Sequence, residues 1–290
     1  MSRQDSKVIL ITGATDGLGR QVARDLAARD VTLLLHGRHR EKGETTVREI
    51  EEAAGRHSVT YYNADFSSLA AVRRLADEIR ADQECLDVLI NNAGLGAGPR
   101  GAQRKESADG FELRFAVNYL APFVLTHRLL PLLRRSAPAR IVNVASVGQE
   151  PIDFDNVMLE RGYNGLRAYR QSKLALVMFT FDLAEGLAGS GITANSLHPA
   201  SLMDTKMVSE TDYFGSPMST VEEGAQAVEY LALSPELEGV TGEYFDGTQR
   251  ARAHPQAYNR EARRRLRRLS EEWTGREKSR AWAGVRSADE

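Results

Sequence analysis

The amino-acid sequence predicts a single α/β domain, a doubly wound parallel sheet of about seven strands flanked by helices on both faces. Three observations lead there. Short, almost wholly apolar runs recur along the chain, as expected of strands covered on both faces. Amphipathic stretches with helical spacing alternate with them and give the order βαβαβα, which right-handed crossovers wind into one sheet. The first apolar run, KVILIT, leads straight into a glycine-rich turn, TGATDGLG, and a helix pattern.

Strands are read at 7–12, 31–37, 59–65, 86–92, 140–146 and 192–199, with a weaker seventh at 242–245. Helix patterns fall near 17–29, 40–54, 68–81, 109–135, 166–189 and 220–233. Pro131, near the end of the fifth pattern, is expected to close or kink it, because proline removes a backbone donor. No break in composition separates two units, so residues 1–250 are read as one catalytic domain. Residues 251–290 form an arginine-rich, helical C-terminal extension. Within it Ala262, Leu266, Leu269 and Trp273 recur at helical spacing. Glu271, Glu272 and Glu277 offset the arginines, so the segment reads as a helix docked on the body or on a second subunit.

Bulk properties narrow the function classes. The chain has 290 residues, of which 42% are hydrophobic and 27% charged, as in ordinary globular proteins. A net charge of -2 gives no reason to expect nucleic acid or an anionic membrane as partner. The single cysteine, Cys85, permits no intramolecular disulfide, which fits a reducing, cytoplasmic setting; it reads as a small, partly buried apolar residue. The first apolar run is too short for a secretory signal. LALVMFTF falls far short of the ~20 residues a spanning helix needs, so no membrane insertion is expected. The histidines lack metal-binding spacing, and DFDN at 153–156 lacks the glycine and distal glutamate of a calcium loop, so no metal is expected. His198, Asp182 and Glu185 read as packing or helix-face residues, and no Gly-x-Ser-x-Gly elbow occurs.

The glycine turn carries the first chemical signal. Gly13, Gly17 and Gly19 sit where a strand meets a helix, so the backbone can approach a phosphate and the helix N-terminus can bind it. At the end of the second strand, LLLHGRHREKG has no acid to take a ribose 2'-hydroxyl. Arg38 follows at once, with Arg40 and Lys42 nearby, which favours a 2'-phosphate. NADP(H) is therefore the preferred cofactor and NAD(H) the alternative, with Asp16 in the glycine turn as a counter-indication. Tyr169 and Lys173 stand four apart, on one helical face. A free phenol titrates near ~10. An ammonium at ~4 Å with an effective dielectric of ~20 is worth about 4 kcal/mol, so Lys173 is expected to lower the phenol by up to about three units.

The ordered motifs TGATDGLG, NNAG (91–94), Asn118 in AVNYL, Ser146 in VNVASVG and YRQSK (169–173) resemble the short-chain dehydrogenase/reductase family over residues 7 to about 247. That family has a Rossmann-type fold. The 22 residues between Ser146 and Tyr169 resemble its retinol-dehydrogenase-like branch. The resemblance implies that Tyr169 is the proton donor in reduction and the base in oxidation. Lys173 would hold the nicotinamide ribose, Ser146 the substrate oxygen, and Asn118 a relay water. It further implies cofactor contacts at Gly13, Thr15, Asp16, Gly17, Leu18 and Gly19. Arg38 would take the 2'-phosphate, Asp65 and Phe66 the adenine, and Asn92, Ala93 and Gly94 the adenosine ribose. Val117, Pro199, Ala200, Ser201 and Thr205 would approach the nicotinamide half, beside Tyr169 and Lys173. HPASLMDTK departs from the family pattern, with Ala200 in place of a glycine and Thr205 one position late.

The implied reaction passes hydride between NADP(H) and a ketone, secondary alcohol or aldehyde. Met203, Met207, Tyr213, Phe214 and Met218 offer an apolar lid for a lipophilic or cyclic substrate. Reduction of an enone double bond is one alternative. A redox sensor without turnover is another, although such a sensor has no need of the Ser–Tyr–Lys set. Homo-oligomers, dimer or tetramer, are usual in the family.

Overall fold

A computed structural model describes residues 6–55, 58–213 and 216–275. Its strands are β1 (Lys7–Thr12), β2 (Val31–Gly37), β3 (Val59–Asn63), β4 (Val88–Asn91), β5 (Ala139–Val144), β6 (Ile192–His198), β7 (Tyr244–Asp246) and β8 (Gln249–Ala251). Its helices are α1 (Gly17–Ala27), α2 (Arg40–Ala54), α3 (Leu69–Asp82), α4 (Leu113–Phe115), α5 (Ala121–Arg135), α6 (Gly165–Gly186), α7 (Lys206–Ser209), α8 (Val221–Leu233) and α9 (Arg260–Trp273). The strands form one sheet in the order β3-β2-β1-β4-β5-β6-β7-β8. All neighbours are parallel except β7 and β8. This is a single Rossmann-like α/β domain. The winding reverses between β1 and β4, where open α/β sheets bind ligands at their carboxyl ends.

Alternation along the strands splits the core between the two faces. Val8 and Leu10 of β1 join the cluster under α3, α5 and α6, whereas Ile9 and Ile11 join the one under α1 and α8. Helix starts are set by side-chain caps: Asp16 on α1, Ser68 on α3, Asn164 on α6, and a Thr220–Glu223 capping box on α8.

Three features differ from the sequence reading. An eighth strand pairs antiparallel with β7 through a turn at Gly247, whose φ of +58° suits glycine. The pattern at 109–135 is interrupted by a π-helical turn, Ala116–Leu120, between α4 and α5. Pro131 does not close α5, which runs on to Arg135 with the proline inside it, at the loss of one backbone donor.

The arginine-rich segment docks on the body. Leu266 of α9 enters the core, and Trp273 packs on Phe111 and Phe115. Tyr119 and Ser270 share a hydrogen bond of 2.6 Å. Arg263, buried, reaches Glu185 and lies 3.3 Å from Asp182 Oδ1, so both acids hold α9 against α6. Residues 149–157 are tied to the same region. Ile152 N donates to Gln256 Oε1, Gln256 Nε2 donates to Ile152 O, and Arg265 pairs with Asp155. DFDN is thus a loop strapped to the C-terminal region. Among the described residues no helix is long and apolar enough to cross a membrane, and no cluster of His, Cys, Asp or Glu could hold a metal. Cys85 is free and partly buried. Phe214 and Glu277 lie outside the described residues.

Breaking a buried ion pair leaves an uncompensated charge. Arg263→Ala is expected to lower unfolding stability by about 3 kcal/mol in urea titration, at the lower end of that range because Arg267 still faces Asp182 at 3.3 Å.

Candidate active site

The glycine turn leaves no room for side chains at Gly13 and Gly19. Gly13 has a φ of +67°, and a Cβ there would lie 2.8 Å from the Ala93 Cα. A Cβ on Gly19 would collide with Gly13 O and Asn92 Nδ2. Both positions demand glycine, and the small residues leave the backbone exposed to a ligand. Asp16 Oδ1 accepts from Gly17 N. The amides of Leu18 and Gly19, in the first turn of α1, have no carbonyl inside the helix to bond. This cradle fits the pyrophosphate of a nicotinamide dinucleotide. Thr15 is buried against Gly37.

Beyond it, Arg38 is exposed at the end of β2, its Nε 3.1 Å from His39 Nε2. Asp16 does not stand as an unpaired negative charge. It pairs with Lys42 at 2.5 Å and Lys206 at 3.3 Å. Partial burial raises its pKa, but the lysines and Gly17 N hold it below the ordinary carboxylate value. Asp65 is exposed and accepts from Ser67 N. The Phe66 ring is buried and stacks on His36 at 4.1 Å. His36 was not anticipated. Its Nε2 lies 3.0 Å from Ala64 O, and Gly13 N donates to its Nδ1, so the buried imidazole props the glycine turn from below.

At the carboxyl ends of β4 and β5 the proton-transfer residues come together. Ser146, just past β5, accepts from Gly148 N at 3.0 Å, and its side chain favours the ionised form of Tyr169. Lys173, one turn along α6, donates from Nζ to Val144 O at 2.8 Å and sits 5.9 Å from the Tyr169 ring centre. Asn118, in the π turn, accepts from Leu95 N at 2.7 Å. Its Nδ2 donates to Leu95 O and Ser172 Oγ. A Cβ on Gly94 would lie 3.2 Å from Asn118 Oδ1 and 3.5 Å from Lys173 Nζ, so both side chains face the NNAG turn. Asn118 thereby pins the strand-end backbone, with both amide hydrogens bonded to protein. Val117 is buried in the same turn.

The phenol of Tyr169 lies above its ordinary value. Burial raises the Tyr169 pKa, and the groups that pull against it are Ser146 and Arg170. Burial also pushes Lys173 down to about 8. The ammonium is tethered to the Val144 carbonyl.

At the end of β6, Pro199 is buried and Ser201 Oγ lies 3.0 Å from His198 Nε2. Ala200 follows in the turn, and burial lowers the pKa of His198. Thr205 caps α7, and its Cγ2 would lie 3.3 Å from a Cβ on Gly17, which places it beside the phosphate turn. The expected lid divides. Met207 covers Gly96, and Tyr213 lies under Arg100. Met203 instead packs on Gly224 and Leu18, and Met218 is exposed.

Sequence reasoning missed the supports. Tyr244 OH and Gln149 Nε2 both donate to Ser146 O. Arg114, buried, bonds Gly96 O, Ala97 O and Tyr163 OH. Its position inside the apolar stretch FELRFAV was the available signal.

A family model described as short chain dehydrogenase matches residues 7–213. Human retinol dehydrogenase 13 is 39% identical over 90% of this chain and 82% of its own length. Human retinol dehydrogenase 11 is 38% identical over 90% of this chain and 83% of its own. Among solved structures, an actinorhodin polyketide ketoreductase with NADPH aligns at TM-score 0.67 and 28% identity, covering 85% of this chain and 97% of that one. A Pseudomonas aeruginosa RhlG/NADP complex aligns at 0.65 and 27%, covering 83% and 94%.

Burial holds His36 neutral, with a pKa lowered from 6.5 to about 4. The folded value lies below the unfolded one, so the associated stability is present above about pH 6.5 and is lost as pH falls toward 4. The loss should reach about 3 kcal/mol at the acid end. Urea unfolding at pH 7, 5 and 4 should show a flatter profile for His36→Gln than for wild type.

Proposed function

We propose a function on one premise: the chain belongs to the short-chain dehydrogenase/reductase family, in its retinol-dehydrogenase-like branch. It is an NAD(P)-dependent oxidoreductase acting on alcohol and carbonyl groups. Our reading is that it uses NADP(H), reduces a ketone or aldehyde of a lipophilic or cyclic compound, and has Tyr169 as its general acid and base. The observation that carries it is the meeting of Ser146, Tyr169 and Lys173 at the carboxyl ends of β4 and β5, beside the glycine cradle.

The bound nicotinamide supplies or takes up the hydride. The protein's residues do the rest. The Gly13–Gly19 turn and the first amides of α1 hold the pyrophosphate. Arg38 meets the 2'-phosphate, and Lys42 and Lys206 remove the repulsion Asp16 would otherwise exert. The adjacent Lys173, its ammonium bonded to Val144 O, would hold the ribose. Ser146 Oγ accepts from Gly148 N, which leaves its hydrogen to orient toward the substrate oxygen. The raised Tyr169 pKa keeps the phenol protonated at neutral pH, as a proton donor to a developing alkoxide requires. In oxidation the same phenol must lose its proton, which positive charge near it assists.

Met207 over Gly96 and the similarity to retinol dehydrogenases support a lipophilic substrate. The free, partly buried Cys85 supports a cytoplasmic setting.

Tyr169→Phe is expected to lower carbonyl-reductase turnover by about 100- to 10,000-fold, the range of general acid catalysis. NADPH affinity should stay within about threefold, and stopped-flow and fluorescence titration read the two quantities. Arg38→Ala should weaken NADPH, measured by its KM, by about 10-fold or more while leaving NADH unchanged, because a charge-assisted contact of about 1.5–3 kcal/mol is lost.

A further inference from the structure

The site carries a cation that the mechanism above does not use. Arg170 follows Tyr169 on α6 and is half-buried. The neighbouring arginine on that helix, Arg167, is matched: it lies 3.3 Å from Glu150 and 3.3 Å from Asp153. Arg170 has no hydrogen-bond or ion-pair partner among the described residues. Its stem stands at the mouth of the site. The point a Cβ on Gly148 would occupy is 3.4 Å from Ser146 Oγ, 3.6 Å from Arg170 Cγ and 3.7 Å from Tyr169 Cε1. Three side chains from the loop and α6 therefore surround one spot. The charge of Arg170 is felt at the phenol, where it opposes the upward effect of burial. Lys173 donates to Val144 O.

An arginine keeps its charge at all working pH values and presents a planar fork of donors that fits a carboxylate with two parallel bonds. The acids nearest along the chain, Glu150 and Asp153, already face Arg167. We propose that Arg170 is a specificity-determining residue that takes a carboxylate on the substrate, so that the site acts on a carbonyl compound that is also an acid. The apolar body of such a molecule would lie toward Met207, with its carbonyl facing Ser146 and Tyr169. This rests on the oxidoreductase reading and narrows its substrate class.

The test uses a matched pair, an aryl ketone bearing a carboxylate and its methyl ester, each with NADPH. Wild type should favour the acid in kcat/KM by about tenfold or more, the worth of one charge-assisted contact. In Arg170→Gln the acid-to-ester ratio should fall at least tenfold, and Arg170→Lys should restore part of it. No preference in wild type, or an unchanged ratio in Arg170→Gln, overturns the proposal. Binding is read separately, as dissociation constants of both compounds for the NADP+-saturated chain, with and without Arg170→Gln. Arg170-dependent binding of the acid without turnover keeps the assignment of Arg170 and sinks the oxidoreductase reading. Equal binding of acid and ester sinks the assignment of Arg170.

Discussion

The hydroxyl of Thr12 is the joint on which the site depends. It stands at the last residue of β1, where the winding of the sheet reverses. It donates to Ile90 O and accepts from the amides of Asn92, at 2.9 Å, and Ala93, at 3.0 Å. Asn92 replies with its side chain, donating to Thr12 O and Gly13 O. These bonds fix where the chain leaves β4. They bring Ala93 against Gly13, which is why Gly13 tolerates no side chain, and they carry Gly94 to the space between Asn118 and Lys173. One buried polar joint thus connects the glycine turn to the region of Asn118 and Lys173. Such joints hold only when every donor and acceptor is satisfied.

The electrostatics follow from depth. Tyr169 and Lys173 lie on α6, a long, largely buried helix, so desolvation dominates: it raises the phenol and lowers the lysine. A lysine near 8 remains about nine-tenths charged at pH 7. Its ammonium donates to a backbone carbonyl, and besides burial the influences on Tyr169 come from Ser146 and Arg170. The sequence spacing of Tyr169 and Lys173 identifies a shared helical face; which way the ammonium turns is set by Val144 O, and no spacing encodes that.

Much of the scaffold was legible because it rests on local pattern. β1, β2 and α2 match their sequence boundaries, since apolar runs, the glycine turn and Gly55 beyond α2 mark them. The glycine turn, Ser146, Tyr169 and Lys173 were legible as motifs. What escaped depends on tertiary contact. The π turn at Asn118 arises because a buried amide reaches across to Leu95 and Ser172. β8 is three residues of mixed polarity that only their pairing with β7 makes a strand, although Asp246-Gly247 is a hairpin signal. Met203 looked like a lid residue by composition, yet the gap beside Gly224 draws it into the core. Phe66 likewise followed an acid assigned to the adenine but found a buried histidine to stack on. The strap between residues 149–157 and the C-terminal region joins segments about a hundred residues apart, beyond any local signal.

The most direct measurement is a crystal structure of the NADP+ complex, with attention to the position of the Tyr169 hydroxyl. The expected result has that oxygen and Ser146 Oγ both turned toward the C4 edge of the nicotinamide, with the pyrophosphate over Gly17 to Gly19. A ring bound elsewhere, or a phenol pointing away from it with no room for a substrate oxygen between, would contradict the assignment of Tyr169 as acid and base.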